Sequence, residues 1–150
     1  WTDLRTEALT LLQREDRLQQ IVKLVGPDVL PEGQRLILFI AEIMKDGFLA
    51  QSSFDENDMY CTPERQVALL RIILTLYRKG RDLIQGGVPL ARIRALACVP
   101  QILRAKSAFG NKDLDKVEEL KQRVVEETEA LAKEYIKEAT FDVSMHSTLT

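Results

Sequence analysis

Apolar residues at helical spacing, cut into blocks by glycine and proline, constrain this chain more than any other feature. Leu4, Leu11, Leu18 and Val25 recur every seven residues, with Ala8 and Val22 beside them. That spacing lays one apolar stripe along a helix. The first helix is predicted from Asp3 to Val25, with Asp3 as its cap and Glu7 near its positive end. Gly26-Pro27 ends it, because glycine takes a left-handed cap and proline cannot continue the helix. Gly26 to Gly33 is then a tight loop holding two glycines and two prolines.

Pro31 is predicted as the first residue of the second helix, since it has no N–H to leave unpaired. Leu36, Ile37, Ile40, Ile43 and Met44 form its core face, and Gly47 weakens its end. Ser52 to Cys61 is polar and irregular. Thr62-Pro63-Glu64 opens the third helix with a cap, a proline and an acid. Val67, Leu70, Ile73, Leu74 and Tyr77 form its stripe, and Gly86-Gly87 stops it. A shorter helix runs from Pro89 to Leu96, and a brief one after Pro100 reaches Ala108. Gly110-Asn111 is a turn. Asp113 caps a long polar helix to Ala139, with Val117, Val124, Leu131 and Tyr135 on a narrow apolar side.

No stretch alternates over strand length. The expected fold is all-α: a helical bundle of three main helices, short connecting helices and a long polar C-terminal helix. Residues 1–108 are the expected domain, 109–140 a helix appended to it, and 141–150 a disordered tail. The chain is already helical by Leu4, which reads as a boundary within a longer polypeptide.

Hydrophobic residues make up 45% of the 150, enough for a core, and charged residues 29%, enough for a solvated surface. The net charge of −2 gives no footprint for nucleic acid or an anionic membrane. No apolar run reaches the roughly 18–20 residues of a membrane span. Cys61 and Cys98 are too few and too far apart for a disulfide scaffold and read as reduced thiols.

Catalytic patterns are missing from these residues. There is no GxxxxGK[ST] loop and no GxGxxG. His146 is the one histidine, so neither a His-based triad nor a His-rich metal site is available. Glu118-Glu119 and Glu126-Glu127 diverge by about 100° on a helix and read as surface. Asp55, Glu56 and Asp58 lack a calcium-loop pattern and read as a solvated loop. Glu15 falls on the apolar side of the first helix and reads as an edge carboxylate paired with an arginine.

Three ordered segments carry a family resemblance: Leu11-Leu12-Gln13-Arg14-Glu15 with Leu18-Gln19-Gln20-Ile21-Val22-Lys23-Leu24-Val25-Gly26; Phe48-Leu49-Ala50-Gln51 with Phe54-Asp55; and Asp58-Met59-Tyr60-Cys61-Thr62-Pro63-Glu64-Arg65-Gln66. Together they resemble the C-terminal region of catalytic A subunits of vacuolar/archaeal rotary ATPases, over roughly residues 4 to 80. Ser52, Ser53, Met59 and Arg65 depart from the family's usual Asn, Ala, Thr and Lys. The first run also resembles the F-type beta subunit, but the loop after it is strongly acidic there and only mildly so here.

The resemblance implies a parent that makes or hydrolyses ATP, coupled to proton or sodium movement. Its phosphate loop and magnesium site would lie upstream of Trp1, leaving no catalytic residue and no metal ligand in this chain. Tyr60 would lie against the adenine of ATP or ADP, with Phe54 lining the same edge. The alternative for Tyr60 is a tyrosine capping the core with its hydroxyl in water; for Phe54 it is an anchor for its loop. Gly26, Pro27, Asp28, Val29, Leu30, Pro31, Glu32 and Gly33 would form the tip that touches the central rotor shaft. The same residues also suit an ordinary interhelical turn. Implied partners are the central shaft and the noncatalytic B subunit, on the cytoplasmic face of a membrane. The rival reading is a stand-alone helical interaction module with no nucleotide link.

Overall fold

The computed structural model describes residues 2–46, 63–108 and 113–148. These residues form α1 (Thr2–Val25), a 3-10 turn (Pro27–Val29), α2 (Glu32–Met44), α3 (Pro63–Gln85), α4 (Leu90–Arg94), α5 (Cys98–Ala108) and α6 (Leu114–Thr148). No strand occurs among the described residues. The all-α expectation holds, and the helices follow the expected order, with α5 starting earlier and α6 ending later than expected.

α3 is the axis of the bundle. Its sequence predicts one stripe, yet Leu69, Leu70, Ile72, Ile73, Leu74, Leu76, Tyr77 and Leu83 are all buried. Three consecutive buried residues, Ile72-Ile73-Leu74, span about 200° of circumference, more than a surface helix hides. Each such side chain contributes roughly 1.5–3 kcal/mol by leaving water. α2 covers one side with Leu36, Phe39, Ile40, Ile43 and Met44. Gly80 lets it come close: a Cβ there would sit 3.2 Å from Leu36 Cδ1 and 3.8 Å from Ile93 Cδ1.

α3 ends in a Schellman turn. The Gly87 N–H donates to Ile84 O at 2.9 Å and the Val88 N–H to Leu83 O at 2.9 Å. Gly87 has φ +96°, open to glycine at little cost, and Leu83 and Val88 are both buried beside it. Pro89 precedes α4 as its cap, and Pro100 sits in the first turn of α5, where the backbone N–H groups have no intrahelical partner. The break expected at Pro100 is therefore a helix start, two residues earlier than the proline.

The long helix expected after Asp113 is α6, and it packs along α3, burying Val117, Leu120, Val124, Thr128 and Leu131. The spacing of three and four residues keeps these on one face. Thr128 is satisfied inside: its hydroxyl donates to Val124 O at 2.7 Å. Lys79 pairs with Glu129 and Tyr135 lies over Gly87, so α6 runs in the same direction as α3. It also continues to Thr148, through the stretch expected to be a frayed tail and past His146. No glycine or proline occurs between Leu114 and Thr148 to stop it. At 1.5 Å per residue the helix is about 52 Å long.

Candidate functional site: the tip between α1 and α2

α1 and α2 form an antiparallel pair. Glu15 of α1 meets Lys45 at the far end of α2, and the two helices join through Gly26–Pro31 at the other end. Gly26 turns the chain with φ 87° and ψ 160°, a mirror-extended conformation rather than the left-handed helical cap expected. Pro27 starts the 3-10 turn, whose last bond runs from the Leu30 N–H to Pro27 O at 3.2 Å. Leu30, 6% exposed, is the apolar anchor of the loop. Pro31 O then accepts from the Gln34 N–H (3.0 Å) and the Arg35 N–H (3.1 Å), opening α2. Pro31 is thus the cap and Glu32 the first helical residue. Two fixed proline φ angles and this bond set make the loop stiff.

Its outer surface is apolar. Leu24 is 86% exposed, Val29 63%, Val25 56% and Ile21 42%. Val25 belongs to the repeat that marks the α1 stripe, but the stripe outruns the bundle there, and Ala8, Leu11 and Leu18 are its buried part. Scattered exposed leucines are ordinary; several gathered at one rigid end mark a contact surface. Charge at the tip is small. Asp28 is fully exposed and pairs with Arg35 at 3.4 Å, a weak surface contact.

Three carboxylates hold the surroundings. Glu15 is 6% exposed and accepts from Lys45 Nζ (2.8 Å) and Gln19 Nε2 (3.3 Å); its cation is a lysine just past α2, not the arginine expected. Glu32 accepts from the Leu90 N–H at 2.6 Å and so caps α4. Glu127 accepts from the Cys98 N–H at 3.0 Å and caps α5. Sequence reading missed both caps because cap and helix lie 58 and 29 residues apart. The signal was the lack of a side-chain capping residue of their own before Leu90 and Cys98.

Glu127 also acts on the Cys98 thiol. Burial, and then the charge of Glu127, push that thiol from 9.0 to about 12. The raised folded-state value means the neutral thiol's contribution to stability is complete below pH 9.0 and is lost as pH climbs toward about 12. In a Cys61→Ser background, iodoacetamide at pH 8 is expected to alkylate Cys98 at least about tenfold more slowly than a free thiol, because the sulfur is buried and its thiolate is disfavoured, which outweighs the thiolate's greater nucleophilicity. Alkylation at the free-thiol rate in the folded protein would contradict this burial.

Tyr60 and Phe54, the expected adenine edge, lie outside the described residues, as do Gly47, Cys61 and Gly110-Asn111. Elsewhere, a cavity of about 250 Å³ lies between α3 and α6, lined by Leu83, Val88, Ala132 and Tyr135, with Lys79 and Glu129 at its polar part. It falls below the roughly 300–1,000 Å³ usual for drug-sized ligands.

The fold and the tip define an all-α helical domain that ends in a stiff helix pair with an apolar contact surface. Comparison with known proteins gives its family. A sequence model of the C-terminal domain of V and A type ATP synthase matches residues 1–94. The chain is 46% identical over 126 residues to the V-type ATP synthase alpha chain of Halothermothrix orenii, covering 84% of this chain and 21% of that protein. It is 42% identical over 135 residues to the A subunit of the A-type ATP synthase of Pyrococcus horikoshii (90% of this chain, 14% of that one). To the same subunit of Methanopyrus kandleri it is 40% identical over 134 residues (89% and 23%). The chain belongs to the family of C-terminal domains of V- and A-type ATP synthases, and it spans less than a quarter of the length of these relatives.

Proposed function

We propose that this chain transmits force between a nucleotide site and a rotor in the catalytic subunit of a V/A-type ATP synthase. The observation that carries the reading is the tip: Leu24 and Val25 at the end of α1 and Val29 in the turn are exposed beside a loop stiffened by Pro27 and Pro31. Closure of a nucleotide site elsewhere in the subunit would swing α1 and α2 together, and a stiff end converts that swing into a push. An apolar surface suits a partner that slides, because it gives contact without directional bonds.

In this reading the phosphate loop and the magnesium ion belong to the remainder of the parent subunit. The Tyr60 ring would stack on the adenine of ATP or ADP, an interaction worth roughly 1–3 kcal/mol per base, with Phe54 beside it. Neither residue does bond chemistry, so they set affinity alone. The partners are the central shaft and the noncatalytic B subunit, and the domain sits on the cytoplasmic face as a peripheral part of the complex. None of the described helices is long and apolar enough to cross a membrane. Coupled movement of protons or sodium belongs to the whole assembly. Family membership counts against the rival reading of a stand-alone interaction module.

The experiment is to place Leu24→Asp and Val29→Asp together in the full-length subunit. ATP-driven ion transport and ATP hydrolysis by the assembled enzyme are then measured side by side.

A further inference from the structure

We infer that Glu32 works inward, as the first link of a brace that ties the tip to α6 through α4. Four contacts make the chain of connection. The Glu32 carboxylate, in the first turn of α2, accepts from the Leu90 N–H that opens α4, at 2.6 Å. Ile93, fully buried, fixes α4 against Gly80 and Leu36. Arg94 stacks on Phe39 of α2 with its guanidinium carbon 4.6 Å from the ring centroid. Arg92 reaches the other way and pairs with Glu134 at 3.2 Å and Glu138 at 3.6 Å, one helical turn apart on α6.

α4 is five residues long and would be marginal by itself. It persists because it is held from both sides, which makes it a strut rather than a connector. Of the two acids in the tip loop, Asp28 faces solvent while Glu32 is committed to this bond, so the two have different tasks. The residues from α6 lie beyond the part of the chain matched by the family's sequence model, which ends at residue 94. In this brace α6 stiffens the tip through α4. The significance for torque rests on the lever reading proposed above; the brace itself does not.

Amide hydrogen exchange on the folded chain tests it, with helix content by circular dichroism as the fold check. Glu32→Ala removes the cap and is expected to speed exchange at Leu90 about fivefold. Glu32→Gln keeps an acceptor oxygen and is expected to restore most of the protection. The decisive variant is Glu134→Gln with Glu138→Gln, at two exposed positions that spare the core. It is expected to speed exchange about two- to fivefold at Leu90 and also at the Leu30 amide, which donates to Pro27 O inside the tip. Unchanged exchange at Leu30 in this variant overturns the brace, because a purely local α4–α6 contact would stop at α4. If exchange responds but coupled transport in the assembled enzyme does not respond to the tip substitutions, the brace stands and the lever reading fails.

Discussion

Val124→Asp is expected to lower the melting temperature by about 10 °C or more. Val124 is 0% exposed at the middle of α6, against the core that α3 organises. The substitution removes an apolar side chain from that core and leaves a carboxylate there without a cation. Breaking or creating an unpaired buried charge costs about 3–5 kcal/mol, and lost burial of the valine adds roughly 1.5 kcal/mol or more. At about 2–4 °C per kcal/mol for a chain of this size, the two together come to roughly 9 °C at the low end and more than about 20 °C at the high end. Glu126→Asp, two residues away on the exposed side, is the control and is expected to move the transition by a degree or two at most. Thermal unfolding followed by circular dichroism gives both numbers. If Val124→Asp melts with the unsubstituted chain, α6 does not share the core with α3.

The part of α6 that its sequence leaves open is instructive. The apolar residues of α6 were legible: Val117, Val124 and Leu131 are buried as their seven-residue spacing requires. What the spacing lacks is the identity of the surface they meet. A narrow stripe suits a partner helix in the same chain or in another, and only the excess burial of α3 decides. The central helix was under-read for the same reason. Its expected stripe holds Leu70, Ile73, Leu74 and Tyr77, while Leu69, Ile72 and Leu76 lie outside that stripe and are buried as well. Glycine and proline were the most reliable punctuation, because they act through the local backbone. They placed the ends of α1 and α3, though Gly26 uses an extended rather than a helical conformation. The caps at Leu90 and Cys98 were beyond reach, since a carboxylate far along the chain supplies each one. At the tip, stiffness was legible from Pro27 and Pro31. Its apolar outer surface was not, because Val25 continues a buried repeat and only the end of the bundle exposes it.

The same geometry makes the tip variant sharp. Leu24 and Val29 project from the bundle, so aspartate at both positions is expected to cost only about 1–2 kcal/mol of stability, from helix propensity and the negative end of α1. If the tip bears on a partner, each side chain gives up roughly 1.5–3 kcal/mol of burial, and each carboxylate must also be desolvated. With 1.4 kcal/mol per tenfold, the loss at the contact exceeds a hundredfold in affinity even at the low end. ATP-driven ion transport in the assembled enzyme is therefore expected to fall at least tenfold, while hydrolysis continues because no substituted residue lies near the reacting phosphates in this reading. Asp28→Asn, which alters only a solvent-exposed charge, is expected to change transport by less than twofold. Leu30→Asp separates contact from support: Leu30 is buried, so that variant should lose stability as well as transport. Subunit stoichiometry, measured on each preparation, distinguishes a failed push from a failed assembly. Full transport by the double variant in a correctly assembled enzyme would mean that the apolar tip bears on nothing, and the force-transmitting role would have to be assigned elsewhere in the parent polypeptide.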